Sequence, residues 1–360
     1  MTSSAYYNGK LMIKPGYGNK LGTVIGILDK YYYEDYDKNK AVEGAVGGYV
    51  DSLGDPYTVY MNNEDVNDFY NLINSSYCGI GVTVQNDTET NRILVVDVFD
   101  GSPAKQAGIE KGDILLKVNG EEYAGEELEE ATDNIKGEEG TEVRVTILKK
   151  SDGEEKELTI KRQSIEVDSV ASEVLEGNIG HIAISQFATN TAAEFTEQLN
   201  GLLDKKVKGI VIDVRDNGGG ITDAAEKIAD LFLKKGDTIY YTSDKNGKKV
   251  YSYSKNEPAT DLPVIILANG NTASASEILI GALKDNGRAK VVGEKTYGKG
   301  VVQQIISMTD DTAVKVTVEK YFTPSGKYIH KKGIEPDYEV SLDENAESDV
   351  QLEKAVEILR

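Results

Sequence analysis

The sequence predicts a multidomain α+β chain: an N-terminal helical segment, a small strand-rich domain, an α/β core and a closing C-terminal helix. Three observations predict it. Apolar residues recur at i, i+3, i+4, i+7, i+8 and i+11 over Val42, Ala45, Val46, Tyr49, Val50 and Leu53, one face of a helix. Short strands separated by Gly- and Asn-containing turns fill residues 77–163. Strands then alternate with helices over residues 165–340, the pattern of a sheet with crossover connections.

A chain of 360 residues has room for two or three domains. Its 39% hydrophobic and 28% charged residues are the mixture of a globular protein rather than a disordered one. A formal net charge of −21 argues against nucleic acid or an anionic membrane surface as partner and favours solubility as its meaning. Cys78 is the lone cysteine, so no internal disulfide forms. No apolar run approaches the ~20 residues of a membrane span, and no secretory h-region is present.

Residues 1–19 are expected to be a flexible, polar N-terminus. Residues 20–76 read as helical, interrupted by the breaker Gly54-Asp55-Pro56. This segment is too small for its own core, so its stripe must pack on the main body or on a second copy of the chain.

In residues 77–163, Gly79-Ile80-Gly81-Val82 leads into a strand, and Ile93 to Val98 is another. Ser102-Pro103-Ala104 starts a short helix that stops near Gly108. A strand from Asp113 to Val118 closes in an Asn119-Gly120 turn. A helix over 126–135 and a hairpin around Ser151-Asp152-Gly153 complete the unit. Together these pieces resemble a PDZ domain. The resemblance implies that Gly79, Ile80, Gly81 and Val82 present backbone N–H groups to the carboxylate of a peptide C-terminus, which adds as a strand to the sheet edge.

The core, residues 164–345, contains two loops that follow buried strands. Gly209 to Val214 leads into Arg215-Asp216-Asn217-Gly218-Gly219-Gly220, and Val264 to Ala268 leads into the turn carrying Ser274. Sites in such sheets lie at the C-terminal ends of strands, so the two loops are expected to meet. The helix after Ser274 has Ile278, Leu279, Ala282 and Leu283 on one face. Residues 346–360 hold the last amphipathic helix.

Ser274 at a helix start and Lys299 between Gly298 and Gly300 form a candidate nucleophile and base. A serine hydroxyl needs a base, and a lysine serves when burial keeps it neutral. If Lys299 and Gln303, four residues on, share one curved strand or turn, the Gln303 amide orients the amine. The bland reading of Ser274-x-x-Glu277 is a capping box worth ~1 kcal/mol. Capping and catalysis are compatible, because a helix N-terminus also stabilises an oxyanion. His181 and His330, the two histidines, leave a Ser-His-Asp arrangement open, though neither stands in a recognisable catalytic setting. Gly293 to Lys299 matches a phosphate loop, but Gly300 stands where that motif needs Ser or Thr, and a strand follows instead of a helix. Ser252-Tyr-Ser-Lys255 matches S-x-x-K without partner motifs. No residues show metal-ligand spacing, and no cofactor is expected.

Taken together, the motifs resemble the C-terminal processing proteases (tail-specific proteases, peptidase family S41). They are Leu53-Gly-Asp-Pro-Tyr57, the PDZ segment, Asp213-Val-Arg215-Asp-Asn217-Gly-Gly219, Thr272-Ala-Ser274-Ala-Ser276-Glu277, Gly298-Lys299-Gly300-Val-Val-Gln303, Tyr321-Phe-Thr323-Pro-Ser-Gly326 and Gly333-Ile-Glu335-Pro-Asp337. The resemblance implies a ClpP/crotonase-like core. It makes Ser274 the nucleophile, Lys299 the base and Gln303 its orienting partner. It places the oxyanion hole at the N–H of Ala275 and one among Gly218, Gly219 and Gly220. Arg215 and Asn217 would shape that loop, and Asp285 would be structural. The expected function is a serine endopeptidase that cuts proteins near their C-termini, recruited and gated by the PDZ domain. Its expected place is outside the cytoplasm, with a leader or membrane anchor removed from the chain. A homodimer formed by the 42–53 stripe and the 349–359 helix is a further expectation. The competing readings are a PDZ scaffold with an inactive core and a crotonase-like acyl-transfer enzyme.

Overall fold

A computed structural model describes residues 6–7, 10–11, 15–341 and 348–360. The chain divides into two compact units, Met1–Tyr60 and Met61–Arg360. In the first, α1 (Pro15–Tyr31) and α2 (Lys38–Asp51) are joined by a short turn. Helix α1 begins inside the stretch expected to be flexible. Proline is suited to a first helical position, where its missing N–H costs nothing and its φ is preset. The Asp37 carboxylate caps α2 by accepting from the N–H groups of Asn39 and Lys40. The α2 stripe is largely exposed: Tyr49 is 77% and Leu53 64% accessible, and only Val50 is buried.

The second unit opens with α3 (Asn63–Ile73), whose capping box pairs Asn62 with Asp65. A small sheet pairs β1 (Ser76–Gly79) with β7 (Gln163–Glu166). Between them lie β2 (Val82–Asp87), β3 (Arg92–Val98), α4 (Pro103–Gln106), β4 (Ile114–Val118), α5 (Leu128–Ile135), β5 (Glu142–Leu148) and β6 (Glu155–Lys161). The antiparallel order is β6-β5-β4-β3-β2, which leaves β2 at an edge. Alternate residues Ile93, Val95, Val143, Val145 and Ile147 point into one core with Ala131 and Ile135 of α5. Buried Arg162 closes the C-terminal end of α5, donating to the carbonyls of Asn134 and Ile135.

The core sheet runs β8 (Val170–Leu175), β9 (Ile179–Ile184), β10 (Gly209–Asp213), β13 (Val264–Ala268), β14 (Ala289–Gly293) and β17 (Tyr338–Glu339). It is parallel from β9 onward, with β8 antiparallel to β9. Strands β10 and β13 are buried throughout, as central parallel strands covered on both faces must be. Ile182, Ile210, Ile212 and Ile266 face α6 (Thr191–Asp204), α7 (Thr222–Asp230) and α8 (Ala275–Asp285). Val211, Ile265, Leu267 and Val292 face α9 (Val350–Leu359) through Ala355. A second sheet, β12-β11-β16-β15, is built from β11 (Thr238–Asp244), β12 (Lys249–Tyr253), β15 (Val301–Ser307) and β16 (Ala313–Phe322). Among the described residues no helix is long and apolar enough to cross a membrane, and no cluster of three metal-ligating side chains occurs.

Candidate active site

Neighbouring strands β10, β13 and β14 each end in a segment that enters one site. The β10 loop packs against the β13 turn directly. The Asn217 carbonyl accepts from the N–H of Ala273 and from the hydroxyl of Ser276, both at 3.0 Å. Gly219 sits flush on the nucleophile candidate: a Cβ there would lie 2.7 Å from Ser274 Cβ and 2.9 Å from the Ala275 nitrogen. The β14 segment joins through Tyr297, whose N–H donates to the Thr272 carbonyl at 3.0 Å.

Ser274 has φ +57° and ψ −115°, a conformation that non-glycine residues rarely adopt. Backbone of this kind persists only where the surrounding structure fixes it. Ala275 is the first residue of α8, so its N–H is one of the four with no acceptor within the helix.

Glu277 organises the site. It is fully buried, and its carboxylate joins the segments that carry Ser274 and Lys299. Oε2 accepts from the N–H of Ser274 at 2.9 Å and from the N–H of Lys299 at 2.8 Å. Oε1 accepts from the N–H of Gly298 at 2.8 Å and from the Thr296 hydroxyl at 2.6 Å. Burial pushes this carboxyl above the usual range, opposed by the Thr296 hydroxyl and the three N–H groups. The motif reading had assigned Glu277 to a capping box. Its N–H contact with Ser274 is that of such a box, but its other three bonds lie 19 to 22 residues away in sequence.

Lys299 is partly buried, and burial holds its ammonium below the ordinary lysine range. The charge of Lys315 on β16 pushes it further down, and Glu277 pulls the other way. The flanking glycines allow the 329–333 segment to approach. A Cβ on Gly298 would lie 2.6 Å from the Gly333 nitrogen, and one on Gly300 2.7 Å from the His330 nitrogen. Gln303 lies on β15, just past the register shift between Val302 and Gln303, and its amide nitrogen is buried with no hydrogen-bond partner. Tyr321 ties the two sides together: its hydroxyl donates to the Ser274 carbonyl at 3.2 Å and its N–H to the Gly300 carbonyl at 3.1 Å. The sequence reading quoted Tyr321 in a motif without giving it a role.

The loop after β10 is fixed from several sides. The Asn217 side chain donates to the Ile184 carbonyl at 2.8 Å and accepts from the Gly219 N–H at 2.9 Å. In this arrangement the Gly219 N–H is therefore committed to Asn217. Arg215 grips Asp213 through Nε at 2.9 Å and forks onto Asp349, the N-cap of α9, at 2.9 and 2.8 Å. His181 faces Glu173 and Asp213, and the described hydrogen bonds place it in that structural cluster. Asp285 accepts from Thr323 and from the Ser325 hydroxyl and N–H, which pins the 323–326 turn. Ser252 of the S-x-x-K match, on β12 of the second sheet, donates to Glu226 of α7.

The chain matches the model of peptidase family S41 over residues 178–340, the PDZ domain over 71–148 and the activating protease CtpB N-terminal domain over 8–65. It is 38% identical over 328 residues to the carboxy-terminal processing protease CtpA of Bacillus subtilis, covering 91% of this chain and 70% of that one. It is also 38% identical to CtpB of the same organism, covering 88% of this chain and 66% of the relative. A probable CtpA-like serine protease of Staphylococcus aureus is 38% identical as well, over 89% and 64% of the two lengths. Among solved structures, a photosystem II D1 C-terminal processing protease aligns with a TM-score of 0.52 at 27% identity, over 89% of this chain and 86% of that one. A putative S41 protease from Bacteroides fragilis shares the fold with a TM-score of 0.55 at 17% identity, over 91% of both chains. The chain belongs to peptidase family S41, as a serine-type C-terminal processing peptidase with a PDZ domain ahead of its protease core.

Proposed function

We propose that Ser274 is the nucleophile and neutral Lys299 its general base. The observation that carries this reading is the buried Glu277 carboxylate, which binds the backbone of both residues through one oxygen. Ser274 Oγ attacks the scissile carbonyl carbon while Lys299 Nζ takes its proton. The oxyanion is received by the Ala275 N–H and by an N–H of Gly218 or Gly220, since the Gly219 N–H is held by Asn217. Lys299 then returns the proton to the leaving amine, and water hydrolyses the acyl-serine. Gln303, with an unpartnered amide nitrogen beside this segment, orients the lysine once substrate is in place.

The substrate is a protein whose free C-terminus binds the PDZ domain, at residues 77–163, along the open edge of β2 with its carboxylate at Gly79–Val82. The core at residues 164–345 is of ClpP/crotonase-like type, supported by its parallel βα layers. Its work lies outside the cytoplasm, a reading the family resemblance supports. Incubating the protein with a mixture of unfolded proteins and mapping new C-termini by mass spectrometry tests the reading. Cuts clustered near C-termini, strongly reduced when a peptide substrate is amidated, are expected. Equal cleavage of free-acid and amidated peptides would sink the terminus-reading role.

The exposed apolar residues of the first unit, including Leu21, Val24, Ile27, Tyr49 and Leu53, support a homodimer built on this unit; the 349–359 helix, expected to share that contact, instead packs Ala355 into the chain's own core. Static light scattering at micromolar concentration is expected to give twice the chain mass. A monomer there would remove the idea.

A further inference from the structure

The carboxylate loop of the PDZ domain holds a side chain of its own. The N–H of Phe99 donates to the Gly81 carbonyl at 3.1 Å, which makes Val82 and Val98 a non-hydrogen-bonded pair. In such a pair the N–H and C=O of Val82 point away from β3, towards the free edge where a peptide strand would add. Tyr77 stands on that side. It lies on β1, two residues before Gly79, and its ring covers the glycine: a Cβ on Gly79 would fall 2.8 Å from Tyr77 Cε2. Its oxygen lies against the N–H of Val82 without closing a hydrogen bond, and it is buried with no partner. Burial pushes the phenol up to about 12, so it stays neutral at physiological pH.

We propose that Tyr77 is a placeholder in the empty PDZ domain: its hydroxyl occupies the position that a substrate's C-terminal carboxylate takes, and a bound peptide must displace it. This rests on the reading of Gly79–Val82 as the carboxylate loop. The phenol is a poor occupant. It is neutral where the loop suits an anion, and its own proton finds no acceptor there, which leaves a buried donor unsatisfied. A free carboxylate offers charge and two oxygens to the same N–H groups, so it wins the exchange. An amide or an internal segment does not. The device raises the threshold for peptide entry without closing the loop to the right ligand, because an occupied ground state lowers apparent affinity by the fraction of molecules that are competent.

The test measures binding to the full chain carrying Ser274→Ala, so that peptide is not consumed. The probe is a fluorescently labelled peptide with the last ten residues of a cleaved protein, made as free acid and as amide. Tyr77→Phe keeps the ring over Gly79 and removes the competing oxygen. It is expected to tighten free-acid binding by about two- to tenfold and to leave the amide as weak as before. Tyr77→Leu, which also removes the ring, should tighten it at least as much. Weaker free-acid binding by Tyr77→Phe would make the phenol a donor to the carboxylate, and unchanged binding would make it a bystander. Either outcome overturns the proposal while leaving the carboxylate loop in place. If the Tyr77 protein binds acid and amide equally, the loop reading itself fails and the placeholder goes with it.

Discussion

Replacing Ser274 or Lys299 with alanine is expected to lower kcat/KM for a peptide substrate by about 10⁴-fold or more, and the double variant is expected to be no worse than either single one. On the proposed mechanism the two groups act as one unit: without the amine the hydroxyl keeps its proton, and without the hydroxyl the amine has nothing to activate. Ser276→Ala is the internal control. Its hydroxyl donates to the Asn217 carbonyl, which also receives the Ala273 N–H, so its loss should cost no more than a few-fold. The pH profile carries the identity of the base. Lys299 must be neutral to accept a proton, so kcat/KM should rise with pH through its lowered pKa and then level off. Lys315 contributes to that lowering. Lys315→Gln removes a positive charge that disfavours the ammonium form, so the pKa of Lys299 rises and the limb moves to higher pH. Activity then falls at neutral pH and recovers at alkaline pH. A limb that stays put in Lys315→Gln, or a profile flat from acid to alkaline, would assign the base elsewhere. Full activity in Ser274→Ala together with loss in Ser276→Ala would move the nucleophile along the turn.

The proposed catalytic pair stands out in the sequence because both residues carry local marks. Ser274 opens a helix after a buried strand, and Lys299 has a glycine on each side that only close backbone approach explains. The meeting of the 215–220 loop with Ser274 was legible as well, from the rule that sites gather at the C-terminal ends of parallel strands. Glu277 was misread because its nearest contact in sequence is a capping contact, and a capping box needs no further explanation. Its bonds to Thr296, Gly298 and Lys299 depend on β14 lying beside β13, which no local pattern states. The Arg215–Asp349 fork is invisible for the same reason, since 134 residues separate its ends. The hairpin of β11 and β12 was missed because it shows no clean hydrophobic alternation; Tyr241, Tyr251 and Tyr253 are packed there by ring stacking on the second sheet. Helix α1 ran into the segment assigned as flexible because the two glycines there, Gly16 and Gly18, lower propensity without forbidding a helix.

Glu277→Gln is expected to lower kcat/KM by about 10²- to 10³-fold while the chain remains folded, with most of the loss in kcat. Glutamine is nearly the same size, so no cavity is created and the helix keeps its first turn. What changes is the chemistry of one oxygen. In the native site both oxygens accept: one from Ser274 and Lys299, the other from Gly298 and Thr296. An amide places an NH₂ group against one of these pairs, where at least one backbone N–H then faces a donor. Thr296 can rotate its hydroxyl to accept, although its oxygen already receives the N–H of Ile334 at 2.7 Å. The Ser274–Lys299 pair has no such freedom, because both donors are backbone. If the amide nitrogen faces Thr296, Gly298 loses its acceptor and the turn before Lys299 loosens. If it faces the other pair, both catalytic residues lose their common anchor. In either orientation the amine and hydroxyl drift from the alignment that proton transfer needs, and displacement of about 1 Å is enough for a loss of this size. Removing the negative charge also lowers the pKa of Lys299 further, because Glu277 now favours the ammonium form. The residual activity of Glu277→Gln should therefore reach its plateau at lower pH than the native enzyme, a shift that a merely loosened fold would not produce. Thr296→Val separates the two halves of the anchor: it removes the hydroxyl contact to Oε1 and the acceptor of the Ile334 N–H, leaves the Ser274 and Lys299 bonds in place, and should cost far less in kcat. A Glu277→Gln protein with native kcat and an unmoved pH limb would reduce this carboxylate to a helix cap.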